Sequence, residues 1–326
     1  MLKFSLILVV VLLVSRKKAY AFEETETIPK NPAIVLAAYG TTDPGELTNY
    51  LHLENKVKDA FPCYDIHLAF VCDEYRAAWR ARANDQNFRK YFPQIAEKFY
   101  TIKNVLTTLA QIQETGPCLI LVQSLQLIEG PEYLDLSCLV DSLRKIKYFD
   151  RKTTPFPWLG LGSPAMGKGE GQKENLFRVA SALKPIFDEA KEKNAAVVLV
   201  ADAQGRGNPG VYQRLEDILE RNYQTTIHVG IPEARYGVSS ILEKMEKTEL
   251  KEGRPIILAP LTLMVGEEMR NDLVGPQADS WLSLFKTKGF TVIPRLEGLA
   301  TRDTFINIFI DSLKRLEEVV SHRYIN

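Results

Sequence analysis

Residues 33–38, with the sequence AIVLAA, form a continuous apolar run that ends in the turn-forming segment YGTTDPG at residues 39–45. A second run, AAVVLVA at residues 195–201, ends in DAQG and then in NPG at residues 208–210. Each run is followed by apolar residues at helical spacing. A strand that is apolar throughout, followed by an amphipathic helix, is typical of a parallel sheet covered on both faces.

The two runs belong to an internal repeat. The segment IHLAF at residues 66–70 matches IHVGI at residues 227–231, and residues 121–130 match residues 257–266. The first half carries additional helical sequence at residues 73–115. Because three pairs of segments recur in the same order, the sequence predicts a duplication. The predicted fold class is α/β, with two similar lobes, each a parallel sheet flanked by helices, and a cleft between them.

The repeat also sets the predicted domain boundaries. Residues 30–150 are predicted to form the N-terminal α/β lobe, and residues 176–326 the C-terminal α/β lobe. The segment between them, residues 151–175, is rich in proline and glycine and is interpreted as a crossover, with a short strand at Trp158–Leu161. A final helical pattern in the second lobe is interpreted as packing, with no chemistry in it.

The N-terminus has the pattern of an export signal. Residues 1–21 start with a basic residue, continue with the apolar run Phe4–Val14 and end in Ala19-Tyr20-Ala21, which matches a signal-peptidase site. A membrane span needs about 20 apolar residues, so this run is too short to be a stable one. The basic residues 16–18 fit an export signal poorly, and an uncleaved, membrane-tethered start is the alternative. The prediction is a signal peptide at residues 1–21 and a periplasmic protein.

Composition excludes several classes of protein. The 326 residues include 41 Lys and Arg and 41 Asp and Glu, a balance that argues against a nucleic-acid-binding protein. A hydrophobic content of 45% excludes a mainly disordered or collagen-like chain. Of the four histidines, His67 and His228 occupy equivalent strand positions and are predicted to be satisfied core residues. The cysteines lack zinc-motif spacing, and buried thiols are favoured over one disulfide. They are Cys63, Cys72, Cys118 and Cys138.

The loops that follow the predicted strands are candidate ligand-binding segments, since ligands of open α/β sheets bind beyond the carboxyl ends of the strands. The Gly40-Thr41-Thr42 turn can bind an anion through backbone N–H groups, although helix capping by Thr42 or Asp43 needs no ligand. It is neither a Walker A loop nor a G-x-G-x-x-G motif, so no nucleotide is expected. The loops are residues 39–45, 71–76, 126–132, 202–209, 232–236 and 266–272.

Several acidic residues fall on the strand-end loops of the second lobe. Acids gathered at one edge of a sheet suggest a metal or proton-transfer site, with solvated loop charges as the alternative. These acids are Asp202, Glu233, Glu267, Glu268 and Asp272.

The motifs at these strand ends resemble those of the anaerobic cobaltochelatase family, the CbiK type. The resemblance covers roughly residues 33–318, and the stretch from Gly266 to Trp281 is its most specific part. It implies the fold of the class II chelatases, two α/β lobes with a tetrapyrrole cleft between them. It also implies insertion of Co²⁺ into sirohydrochlorin on the way to cobalamin. The motifs are Tyr39-Gly40-Thr41-Thr42, Ala69-Phe70, Gly130-Pro131-Glu132-Tyr133, Pro232-Glu233-Ala234 and Val265 to Asp272.

The resemblance assigns the candidate catalytic residues. The family uses two histidines and one glutamate of the second lobe to hold metal and accept pyrrole protons. The glutamate matches Glu233, while Asp202 and Glu268 stand at the positions of the two histidines. A further family histidine, on a first-lobe strand, aligns with Gln126. Asp202, Glu233 and Glu268 are therefore the predicted catalytic and metal-ligating residues, although carboxylates suit harder ions than Co²⁺.

The resemblance also implies partners. Sirohydrochlorin carries many carboxylates, which arginine side chains can pair, so the cleft should offer cations. Arg76 lies on one of the candidate loops as well. The expected metal is a divalent ion, Co²⁺, taken as substrate, and a homo-oligomer is one further partner considered. The predicted tetrapyrrole-binding residues are Gly40, Thr41, Thr42, Gln126, Arg206, Arg235 and Arg270.

Three functions remain open on the sequence. The first is a sirohydrochlorin cobaltochelatase with an all-carboxylate site. The alternative is a non-catalytic periplasmic tetrapyrrole- or metal-binding protein derived from a chelatase. The third, a periplasmic small-molecule binding protein of two α/β lobes, is disfavoured by the match between Gly266 and Trp281.

Overall fold

The first sheet contains four parallel strands in the order β2-β1-β3-β4. A computed structural model describes residues 32–116, 119–148, 154–168, 171–202, 209–232, 237–247 and 254–322, apart from the side chains of Pro209 and His322. The predicted signal peptide at residues 1–21 lies outside them. The short strand predicted within 151–175 is β4, which pairs with β3. The strands are β1 (Ala33–Ala38), β2 (Asp65–Phe70), β3 (Leu119–Ser124) and β4 (Trp158–Gly162).

The second sheet repeats this topology, with four parallel strands in the order β6-β5-β7-β8. His67 pairs with Val35 in the first sheet and His228 with Val198 in the second, each at the third residue of the central strand. The strand equivalences predicted from the repeat are thereby confirmed, as is the fold class. The strands are β5 (Ala196–Ala201), β6 (Ile227–Gly230), β7 (Ile256–Leu261) and β8 (Val292–Pro294).

Helices cover both faces of each sheet. In the first lobe they are α1 (Leu47–Ala60), α2 (Asp73–Ala83), α3 (Gln86–Tyr91), α4 (Glu97–Tyr100), α5 (Val105–Glu114) and α6 (Pro131–Lys145). Thereafter they are α7 (Gln172–Ala182), α8 (Lys184–Glu192), α9 (Pro209–Tyr223), α10 (Val238–Lys247), α11 (Glu267–Val274), α12 (Trp281–Thr287) and α13 (Asp303–His322). None of the helices within the described ranges is long and apolar enough to cross a membrane.

The central strands β1 and β5 are buried along their whole length. Successive side chains of a strand point to opposite faces, and in β1 Ile34 and Leu36 enter one core cluster while Val35 enters another. This explains why both strands are apolar at every position. The cluster that contains Ile34 and Leu36 also contains Val197 and Leu199 of β5, so one face of each sheet contributes to a shared core.

The C-terminal helix α13 returns to the first sheet. Gly160 of β4 allows the close approach, because a Cβ there would lie 2.7 Å from Val320 Cγ2 and 2.9 Å from Leu316 Cδ1. Tyr64 follows α1 in the chain, and its hydroxyl donates a hydrogen bond to the Glu317 carboxylate of α13. Although residues 303–322 fall in the second half of the repeat, their packing therefore joins the two halves.

The environments of the cysteines and histidines differ in part from the predictions. Cys63, Cys72 and Cys138 are free thiols, and Cys63 and Cys138 are exposed, so their interpretation as buried residues is wrong; Cys118 lies outside the described residues. His67 is one-third exposed and its Nε2 lies 3.0 Å from Asp65, so it is not a core residue either. His228 is buried as predicted, but its ring nitrogens have no hydrogen-bond partner among the described residues.

Candidate active-site cleft

A cavity of about 870 Å³ lies at the carboxyl ends of the strands, with walls from both lobes. All six of the strand-end loops contribute lining residues. Loop 71–76 contributes Tyr75, loop 202–209 contributes Asp202, and loop 232–236 contributes Pro232. Cleft formation by these loops follows from the parallel topology, since the carboxyl ends of parallel strands meet at one edge of each sheet.

The first-lobe wall is the turn that follows β1. Gly40 has a φ of +109°, a backbone conformation that favours glycine, and a Cβ there would lie 2.8 Å from the Phe70 ring. Both the backbone conformation and the packing therefore require glycine at this position. The Thr41 carbonyl accepts a hydrogen bond from Trp79 Nε1 at 2.7 Å, and the Thr42 carbonyl accepts one from Arg82. These contacts hold the turn in one conformation against the cavity.

Helix capping occurs in the same turn. The Asp43 carboxylate accepts a hydrogen bond from the Gly45 N–H at 2.8 Å and caps the short 3₁₀ helix Pro44–Glu46. Helix capping by Asp43, one of the two interpretations of this turn, is therefore confirmed, while Gly40 and Thr41 line the cavity beside it. Capping and cavity lining are divided between neighbouring residues, so neither excludes the other.

The second-lobe wall carries carboxylates from two elements. Asp202 follows β5, and Glu267 and Glu268 form the first turn of α11. Asp202 and Tyr212 of α9 line one small pocket, and burial and then the Asp202 carboxylate raise the pKa of Tyr212. Burial and then the Glu268 carboxylate raise the pKa of Tyr75, which lies in the other lobe. Glu268 and Tyr75 line the same cavity from opposite lobes.

The two lobes also approach each other directly at this edge. A small pocket of about 10 Å³ is lined by Gln126 and Glu132 from the first lobe and by Asp202 and Tyr212 from the second, and the first three also line the main cavity. At the other side, a Cβ at Gly266 would lie 3.8 Å from Thr41 Oγ1. Candidate residues of both halves therefore line one shared cleft that is open to solvent.

The structure brings together most of the predicted site residues that it describes. Arg270 is not among the cavity-lining residues; its guanidinium lies 3.7 Å from the Asp43 carboxylate. Glu233, Arg206 and Arg235 lie outside the described residues. Those that line the cavity are Gly40, Thr41, Thr42, Gln126, Asp202 and Glu268.

The three-carboxylate metal site stays a prediction. Among the described residues, no group of three or more His, Cys, Asp or Glu side chains is arranged to hold a metal ion. The predicted group includes Glu233, so the described residues contain only Asp202 and Glu268 of it. Pro232, the residue before Glu233, lines the cavity and brings the chain to the cleft wall.

Comparison with known proteins identifies the family. The model of the family described as cobalt chelatase (CbiK) matches residues 32–318, nearly the whole chain that carries the two sheets. The chain belongs to the cobalt chelatase (CbiK) family. It is 26% identical over 283 residues to the sirohydrochlorin cobaltochelatase CbiKC of Nitratidesulfovibrio vulgaris, covering 86% of this chain and 88% of that protein.

Solved structures add no functional argument. A probable maltose operon repressor, malR, from Staphylococcus aureus is 7% identical, with a TM-score of 0.40 and coverage of 89% of this chain and 90% of that one. A periplasmic sugar-binding protein from Legionella pneumophila is 14% identical, with a TM-score of 0.32 and coverage of 91% and 97%. At such TM-scores, the assignment to the cobalt chelatase family depends on the sequence match alone.

The described wall of the cobalt chelatase cleft is acidic. Its lining includes five carboxylates and, within the described ranges, no lysine or arginine. The Arg76 side chain is buried in the first lobe, where its guanidinium donates hydrogen bonds to the Phe70 and Val71 carbonyls and forms an ion pair with Asp73. The expectation that Arg76 faces a ligand is therefore wrong. The acids are Glu132, Asp202, Glu267, Glu268 and Asp272.

Sequence reasoning missed two aromatic residues of the cleft. The Tyr39 and Tyr75 rings lie edge to face, with centroids 5.5 Å apart, and both line the cavity. Burial, with Cys72 and Tyr75 nearby, raises the pKa of Tyr39, so both phenols stay neutral at physiological pH. Tyr39 begins the same turn as Gly40, and an aromatic residue at the end of a predicted strand could have indicated a ligand-binding role.

Proposed function

We propose that the protein is a sirohydrochlorin cobaltochelatase in which carboxylates replace the family's metal-binding histidines. The observation that carries the proposal is that Asp202 and Glu268, at the positions of those histidines, line one cavity with the turn at residues 39–42. Family membership and the relative that acts as a sirohydrochlorin cobaltochelatase support the same function.

Metallation of a tetrapyrrole requires acceptors for two pyrrole protons and ligands that hold a partly desolvated ion. In this proposal the substrate Co²⁺ approaches the macrocycle from the second-lobe wall, where Asp202 and Glu268 supply oxygen ligands. The same carboxylates, with Glu233, accept the pyrrole protons. Glu132 and Gln126 face Asp202 from the first lobe and are placed to accept or donate hydrogen bonds to the substrate.

The aromatic pair gives the macrocycle a surface to lie against. Tyr39 and Tyr75 present neutral rings on the first-lobe side of the cavity. Flat conjugated ligands pack favourably on such rings. A macrocycle held there faces the carboxylates of the opposite wall.

The acidic wall supports a second candidate, a non-catalytic metal- or tetrapyrrole-binding protein. Carboxylates attract a divalent ion but bind Co²⁺ less selectively than imidazole does. A protein that had lost the family's chemistry would still bind ligands in the same cleft. In either case the proposed location is the periplasm, reached through the signal predicted at residues 1–21, and cell fractionation with a C-terminal tag would test it.

The test is cobalt insertion by the purified mature chain, followed by the absorbance change of sirohydrochlorin. Removal of a proton acceptor typically costs a factor of about 10²–10⁴ in rate, and we expect Glu268→Gln and Asp202→Asn to slow insertion by at least the lower figure. Glu318→Gln, an exposed acid on the outer face of α13, is the matched control. Binding of sirohydrochlorin without insertion would instead establish the non-catalytic alternative.

A further inference from the structure

A second cavity, of about 230 Å³, lies at the carboxyl end of β4, where the start of α7 meets α13. Its walls include Gly162 at the end of β4, Gly171 before α7, and Ser312 and Arg315 on α13. None of its lining residues lines the cleft between the lobes. It is therefore separate from the proposed chelatase site.

Two polar side chains that line this cavity make no side-chain hydrogen bond within the part of the chain that the structure describes. Asn175 is 8% exposed and Ser312 is 7% exposed. The Asn175 backbone N–H bonds to the Gly171 carbonyl, but within the described ranges neither the Asn175 amide nor the Ser312 hydroxyl makes a hydrogen bond. Their polar atoms are not sealed from solvent, so both side chains are available to bond to water or to a polar ligand in the cavity.

The electrostatics of the cavity favour an anion. Helix α7 begins after Gly171 without a side-chain cap, so its first N–H groups leave a partial positive charge at this end. Glu174, the acid in the first turn, is exposed and does not line the cavity. Arg315 has no acid within ion-pair distance in the part of the chain that the structure describes. Lys168 adds little net charge, because its Nζ lies 2.8 Å from the Glu129 carboxylate.

We infer that this cavity binds a small tetrahedral oxyanion, phosphate or sulfate, either free or as the terminal group of a larger molecule. The Arg315 guanidinium can pair two of its oxygens, while the Asn175 amide and the Ser312 hydroxyl donate to the others. A water molecule occupies about 30 Å³ of liquid, so the cavity has room for one oxyanion and several waters. The ligand would join α7 to α13, the helix that packs back on the first sheet.

The experiment measures binding of inorganic phosphate to the full mature chain by isothermal titration calorimetry, with the ionic strength matched by chloride. We expect saturable binding to one site that Arg315→Gln weakens about tenfold or more. Asn175→Asp keeps the shape of the side chain but adds a negative charge, and we expect it to abolish binding. Lys314→Gln, on the same helix but paired with Asp311 outside the cavity, should leave binding unchanged.

Parallel titrations identify the form of the oxyanion. Equal affinity for methyl phosphate and phosphate indicates that the site accepts the terminal group of a larger molecule, and preference for free phosphate or sulfate indicates a free ion. An unaltered affinity in both Arg315→Gln and Asn175→Asp, or no saturable binding in the wild type, would overturn the inference. Ser312→Ala is a small change in a buried helix and gives a third measurement if Asn175→Asp does not fold. None of these outcomes bears on cobalt insertion in the separate cleft.

Discussion

The Arg270 guanidinium lies 3.7 Å from the Asp43 carboxylate, so an ion pair links the two walls of the cleft. Asp43 uses its other oxygen to cap the 3₁₀ helix of the first lobe, and Arg270 lies on α11 beside Glu268 and Met269, which line the cavity. One carboxylate thus connects the turn at the first-lobe wall to the helix that carries the acids of the second. We expect this pair to influence the separation of the walls at this edge of the cleft.

Loss of the pair should affect substrate binding more than stability. Arg270 is 42% exposed, and exposed ion pairs contribute about 0–1 kcal/mol, so we expect Arg270→Gln to change the free energy of unfolding by no more than this. We expect it to raise KM for sirohydrochlorin several-fold with a smaller effect on kcat. Lys288→Gln, which breaks an exposed pair with Glu246 within the second lobe, is the control. A KM equal to that of the wild type would show that the ion pair does not determine how the cleft binds its substrate.

The close packing of α13 on β4 predicts a stability effect remote from the cleft. A Cβ at Gly160 would press on Val320 and Leu316, and overpacking of this kind costs about 1–3 kcal/mol. Chemical denaturation should therefore show that Gly160→Ala destabilises the protein by that amount. Adding Val320→Ala should restore part of the loss, because the two sites are in contact. An additive double variant would mean that the glycine matters for another reason.

Much of the fold could be predicted because its signals are local. The sequence runs that correspond to β1 and β5 are apolar at every position, since each strand is covered on both faces, and the glycine-containing sequences that follow both runs indicate where the strands end. The strand-end loops met at the cleft for the same reason, as parallel topology places them at one edge.

The structural features that could not be predicted from the sequence depend on contacts between distant parts of the chain. The pattern of α13 shows an apolar face, but nothing in it reveals that this face packs on β4 of the first lobe. The exposure of Cys63 and Cys138 likewise depends on neighbouring elements. Arg76 lies on a candidate loop, yet its guanidinium turns inward to two carbonyls, which no spacing of charges could indicate.

A buried charged group in the second lobe should make stability depend on pH. The Glu216 carboxylate of α9 accepts the Val229 N–H at 2.9 Å and lies 3.7 Å from His228 and 3.5 Å from Lys244. Burial alone would raise the pKa of Glu216, but His228, the Val229 N–H and Lys244 outweigh it, so this pKa lies below its usual range. A lowered carboxyl pKa contributes stability above the unfolded pKa and loses it as the pH falls through the folded one.

Glu216→Leu should therefore destabilise the protein at neutral pH. It leaves the buried Val229 N–H without an acceptor, for which we expect a loss of about 1–3 kcal/mol in the free energy of unfolding. The difference from the wild type should shrink as the pH falls below about 4.5, the ordinary value for a glutamate. Asp217→Asn, the exposed neighbour on the same helix, is the control. A difference that stays constant from pH 7 to pH 3 would show that the charge of Glu216 is not involved.

The substitution of the family's histidines predicts how fast this protein inserts cobalt. Neutral imidazole suits Co²⁺ and adds no charge, whereas Asp202 and Glu268, with Glu233, would place three negative charges around one ion. Protons compete with a metal ion for carboxylate oxygens, so the affinity of such a site for metal should rise with pH. We expect insertion to be slower than in a relative with both histidines, and Asp202→His with Glu268→His to increase the initial rate at neutral pH. If the wild-type protein instead inserts cobalt as fast as a relative with both histidines, and the double variant loses this activity, the carboxylates are the metal ligands used in catalysis.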